Sequence, residues 1–101
     1  MVPLFYLMKA VVTSYSPYEA CPFGKLENCI NAQGEIPTNG FSIACPRSIH
    51  LGTSVIVDER IYLCDDRTSK KYDGRFDLFT TSQEKAKNYG KQEKTVIIIN
   101  I

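Results

Sequence analysis

Between Cys64 and Phe79 the chain carries four aspartates, Asp65, Asp66, Asp73 and Asp77, interleaved with Arg67, Lys70, Lys71, Tyr72 and Arg75. A carboxyl group held on a rigid element beside other carboxylates has its pKa raised, far enough to serve as an acid near neutral pH. Chemistry of that kind suits acid–base cleavage of an uncharged polymer such as a glycan. The competing reading is a solvated, charge-balanced loop that leads into an ordinary strand. Residues 75–79 alternate as a strand does, which puts Arg75, Asp77 and Phe79 on one face and Phe76 and Leu78 on the other. Asp77 then lies opposite two core residues and points to solvent or a cleft. Its place on a strand positions it better than any loop carboxylate. Asp66 stands where the preceding strand ends and the loop begins. If that loop folds back, the two carboxylates face each other across neighbouring strands and titrate as a coupled pair, one of them held protonated. Arg67 or Arg75 beside one member would keep that member ionised. The plainer alternative has Asp66 capping backbone amides of the loop and Asp77 paired with Arg75.

The elements that must position these groups are short. Residues 9–15 are β-branched and aromatic-rich and stop before Pro17, as a strand does. From Pro17 to Gly40 the chain has Pro, Gly and Asn at short intervals and no sustained period, which reads as one long loop pinned by a covalent link. Strands follow at residues 41–45, 54–57, 61–64 and 75–79, with a tight connection at Asp58, Glu59 and Arg60. Thr81 and Glu84 fit a capping box that opens the one short helix, over about residues 82–89, and Gly90 stops it. That helix is too short to stand alone and must pack on the sheet. The apolar run 95–99 reads as a strand buried on both faces. Several short strands with both faces of the last one covered favour a closed or nearly closed barrel.

The totals agree with a small single domain. There are 101 residues and a net charge of +1, with no basic stripe for a phosphate backbone, so nucleic acid is a poor partner. Six Tyr and five Phe can fill a core or stack on sugar rings. Four cysteines, Cys21, Cys29, Cys45 and Cys64, form an even set in a small chain and favour an oxidising compartment. Of the three possible pairings, Cys21–Cys29 with Cys45–Cys64 is the one expected. No Cys-x-x-Cys pair is present and His50 is the single histidine, so neither a metal nor a cofactor is expected. The apolar start, residues 1–8, is too short to span a bilayer and lacks the basic region and cleavage site of a complete signal peptide. Residues 1–10 are therefore expected to be a first strand or the remnant of a leader, with residues 11–101 a single domain.

Ser42-Ile43-Ala44-Cys45-Pro46 through Ile49-His50-Leu51-Gly52-Thr53, then Asp66 and Arg75-Phe76-Asp77-Leu78-Phe79, together resemble the 3D domain, named for three aspartates. Val12-Thr13-Ser14-Tyr15, residues 86–90 and the final Val96-Ile97-Ile98 continue the likeness, so it covers most of the chain from about Val11. This domain is the catalytic barrel of MltA-type lytic transglycosylases and of stationary-phase muralytic proteins. The resemblance implies a mainly β fold, a six-stranded double-psi β-barrel. It also implies a secreted or cell-envelope protein that cleaves the bond between N-acetylmuramic acid and N-acetylglucosamine in peptidoglycan. Asp77 would be the acid and base, Asp66 its tuning neighbour, and Thr13, Tyr15, Tyr72, Arg75 and Phe79 the residues along the glycan groove.

The chain departs from the family pattern in several places. Cys45 takes the place of the third aspartate, His50 that of a proline, and the loop 67–73 is bulkier and more basic than the family's glycine-rich one. The MltA enzymes also close their groove with a second domain, so a further domain or subunit is expected to complete the site. Three readings follow: an enzyme, a barrel that binds cell-wall glycan without cleaving it, and a structural barrel with no glycan affinity. Fold membership does not choose among them.

Overall fold

The computed structural model describes residues 4–100 and shows a closed six-stranded barrel. In chain order the strands are β1 (Phe5–Tyr15), β2 (Ser42–Cys45), β3 (Ser54–Val57), β4 (Arg60–Arg67), β5 (Phe76–Phe79) and β6 (Gln92–Ile99). Around the barrel they run β1-β5-β2-β4-β3-β6 and back to β1. The pairs β1–β5 and β2–β4 are parallel, and the other four are antiparallel. Closure leaves no unpaired sheet edge, which is how a small all-β domain avoids strand-to-strand aggregation.

Period-2 alternation builds the core. Val12, Ile43, Val55, Phe76 and Val96 point inward and are fully buried, joined by Val57, Tyr62, Leu78 and Ile98. Burying one such side chain contributes about 1.5–3 kcal/mol. The final strand is not covered on both faces as its apolar run suggested. Val96 and Ile98 are buried while Thr95 is exposed and Ile97 and Ile99 are half-covered, because β6 is a barrel strand with an outer side. Of the stretch 1–10, residues 1–3 lie outside the described residues, and Phe5 to Ala10 form the start of β1.

The connections carry the turn chemistry their residues demand. Asp58 and Glu59 both have positive φ, 50° and 67°, and make the two-residue hairpin between β3 and β4. The helix α2 (Gln83–Tyr89) begins one residue later than the Thr81 cap predicts. Ser82 is the N-cap and its Oγ accepts the Lys85 N–H, while Gly90 at φ 67° ends the helix. The segment 17–40 is more structured than a plain loop: it opens with a single helical turn, α1 (Pro17–Ala20), and continues with two 3-10 turns at Pro22–Gly24 and Leu26–Asn28. The disulfides pair as expected. Cys21–Cys29 pins this segment, and Cys45–Cys64 staples β2 to β4 inside the barrel. Two bridges fit an oxidising environment. Among the described residues no helix is long and apolar enough to cross a membrane.

Candidate active site

Strand register builds the site. Thr13 on β1 pairs with Asp77 on β5, Asp77 pairs with Ala44 on β2, and Ala44 pairs with Asp66 on β4. Residues opposite one another in a sheet share a face, so these four form one row across four adjacent strands. Two strand spacings, about 10 Å, separate the Cα atoms of the two aspartates. Ala44 between them is small enough to leave the space open. The row floors a cleft of about 930 Å³, within the range of small-molecule sites. Tyr15, Arg67, Tyr72 and Arg75 also line it, and the pinned segment adds Glu19, Ile30 and both cysteines of the Cys21–Cys29 bridge.

Asp66 is on a strand, not at the start of a loop, because β4 continues through Arg67. A β-bulge makes this possible. Ile43 pairs with Cys64 and the next residue, Ala44, pairs with Asp66, which leaves Asp65 as the extra residue. A bulge re-aims the side chains around it. Asp65 turns into the protein and accepts a 2.6 Å hydrogen bond from Ser42 Oγ, while Asp66 joins the row that floors the cleft. Ser42 Oγ in turn accepts the Thr38 N–H, so Asp65 anchors the end of the pinned segment. Neighbours in sequence thus have separate duties.

The two cleft carboxylates differ in environment. Asp77 is half-buried and held at Oδ1 by the Thr13 hydroxyl at 3.0 Å. Burial pushes its pKa up to about 6, and the charges of Glu19 and Asp66 add to the rise against the Thr13 bond and Arg75. Burial raises the pKa of Asp66 as well, but there its donors oppose: the Arg67 N–H at 2.8 Å and the Tyr15 hydroxyl at 3.3 Å. Burial also raises the Tyr15 phenol well above its usual range, assisted by Asp66 and Asp77, so Tyr15 stays a donor. Asp77 therefore keeps its proton up to about pH 6, well past the range of an ordinary carboxyl.

The remaining expected residues divide. Thr13 and Tyr15 line the cleft, but their hydroxyls hold the carboxylates. Arg75 lies just before β5 and, among the described residues, forms no ion pair with Asp77; its guanidinium covers the Tyr72 ring at 4.6 Å, with Lys71 Nζ 5.4 Å from the same ring. Tyr72 is 43 % exposed at the rim. Phe79 is no groove residue. It is buried beneath Tyr15, ring centroids 5.2 Å apart, because the face it shares with Asp77 is roofed at that level by β1's last residue. Arg67 reaches away from the aspartates, donating to the carbonyls of Pro46 and Ile49. Asp73 accepts the Arg47 N–H, which lowers its pKa.

Glu19 is a site residue absent from the sequence expectations. Its carboxylate accepts from Ser16 N at 2.9 Å and Ser16 Oγ at 2.5 Å, and it faces Asp77 from α1. The signal was present in Ser16-Pro17-Tyr18-Glu19, a capping-box pattern with proline at the first helical position. Comparison with family models and with curated proteins finds no match for this chain.

Proposed function

We propose that the protein acts on peptidoglycan as a lytic transglycosylase of the 3D-domain type, with Asp77 as its single acid and base. The observation that carries this reading is Asp77 itself: a carboxyl group with its pKa pushed up to about 6, held by Thr13 in an open cleft. A hydrolase of the usual kind needs a second free carboxylate as nucleophile or base. Here Asp66 is committed to the Tyr15 hydroxyl and the Arg67 amide, and Glu19 to Ser16. A mechanism with one carboxyl suits such a site. Asp77 gives its proton to the glycosidic oxygen as the bond from C1 of N-acetylmuramic acid breaks. The C6 hydroxyl of the same sugar then attacks C1 and returns its proton to Asp77. One C–O bond is exchanged for another, no water is consumed, and the product is a 1,6-anhydro sugar. Positioned proton transfer of this sort contributes about 10²–10⁴ in rate.

The two parallel pairs and the likeness of residues 42–53 and 75–79 support a double-psi arrangement and the 3D family. The two disulfides support a place outside the cytoplasm, at the cell envelope. A further domain or subunit over the cleft would complete the glycan groove. Incubation with purified peptidoglycan is expected to release anhydromuramyl fragments, and Asp77→Asn to abolish that release. Equal turnover by Asp77→Asn would sink the mechanism. The half-exposed Tyr72 ring favours a second reading, a barrel that holds glycan without cleaving it. That reading expects cell-wall pull-down by wild type and Asp77→Asn alike, with no anhydro product from either.

A further inference from the structure

The cleft is electrically asymmetric along the strand direction. Arg75 stands two residues before Asp77, about 7 Å toward the start of β5. Glu19 is tied to Ser16, three residues beyond Thr13 in the opposite direction, about 10 Å away. Asp77 therefore sits between a cation at one end and a carboxylate at the other, with Asp66 beside it. The guanidinium at the positive end is unspent. Among the described residues it makes no ion pair or side-chain hydrogen bond, and its one close partner is the Tyr72 face. Stacking fixes the plane of the guanidinium while leaving its edge donors unused, the arrangement that favours bidentate capture of a planar anion.

Resting on the transglycosylase reading, we propose that Arg75, backed by Tyr72, receives a carboxylate of the substrate. The cleft then accepts an acid-bearing saccharide in one orientation: the charged ring toward the start of β5, and its neutral neighbour toward Glu19. Reversed, the same strand would bring its carboxylate against Glu19 and leave Arg75 facing a neutral ring. Charge thus selects muramyl-containing strands over uniformly neutral ones such as chitin, and sets their direction across Asp77. On a muramyl sugar the carboxylate is the free lactyl group, or it belongs to a stem peptide attached there.

The test is equilibrium binding to the full chain carrying Asp77→Asn, which removes turnover. Three ligands are compared: a GlcNAc–MurNAc disaccharide with its lactyl acid free, the same disaccharide bearing a dipeptide stem, and a chitin oligomer. Arg75→Gln is expected to weaken binding of an acidic ligand by about tenfold or more, the scale of a charge-assisted hydrogen bond, and to leave chitin unchanged. Loss confined to the first ligand assigns the lactyl group, and loss confined to the second assigns the stem. Arg75→Lys, which keeps the charge without the planar fork, is expected to fall between. Equal loss for all three ligands, or no loss, would overturn the proposal while leaving glycan binding intact. No binding of any ligand by the Asp77→Asn chain would overturn both the proposal and the reading it rests on.

Discussion

Asp77 is costly to the folded protein at neutral pH. Its pKa is raised to about 6 from an ordinary carboxyl value, so the folded state holds its proton more tightly than the unfolded chain. That contribution is fully present below about pH 4 and is lost as pH rises through about 6. Asp77→Asn, which keeps an oxygen for Thr13, is therefore expected to stabilise the protein at pH 7 by on the order of 1–3 kcal/mol. Its gain should vanish near pH 4, which denaturant melts at the two pH values would check. Activity should show the same group: the rate falls as pH rises past about 6, because the acid must be protonated to act. Neighbours should move that limb in opposite directions. Glu19→Gln removes a charge that raises the Asp77 pKa, so the limb shifts to lower pH. Thr13→Val removes a hydrogen bond that lowers it, so the limb shifts upward. Rate–pH profiles of the two variants would be read side by side, and shifts of the same sign would contradict this electrostatic account.

Among the elements, α2 depends on a cap that the sequence places within one residue. Ser82→Ala should cost about 1 kcal/mol by orphaning the Lys85 amide, whereas Thr81→Ala should cost little; thermal melts of both would separate them. The slip from Thr81 to Ser82 has a simple origin, since both residues carry the required oxygen and local pattern alone cannot choose between them. The strands were legible where alternation was unbroken, as at Phe76, Asp77 and Leu78, and so was the outward aim of Asp77. The end of β4 was not. A run of Asp-Asp-Arg reads as a loop by composition, and only the pairing of Ala44 with Asp66 past a bulge shows that the strand continues. Phe79 failed for a related reason: alternation says which side a residue takes, not what covers it, and Tyr15 comes from a strand far away in sequence. Glu19 was readable from its capping box, but its neighbour Asp77 lies 58 positions further along the chain.

At the scale of the molecule, one core and the Cys45–Cys64 staple hold the barrel, and Cys21–Cys29 pins the segment beside the cleft. Phe76 is fully buried next to the catalytic candidate, and Phe76→Ala should cost about 3–5 kcal/mol, measured by urea unfolding. The order of pairing adds a demand on the timing of folding. Strand β1 precedes the other five strands in sequence, yet it pairs only with β5 and β6, both from residue 76 onward. No strand next to it in sequence forms a hairpin with it, so β1 must wait for partners at least 64 positions further along the chain. A chain lacking β6 would leave β1 open on one side along residues 5–12, and the Thr13–Asp77 contact would have to form on an unclosed sheet. The cleft is thus a product of long-range closure: Thr13 and Asp77, 64 positions apart, meet only when the first and fifth strands pair, so no local segment of the chain holds the site by itself.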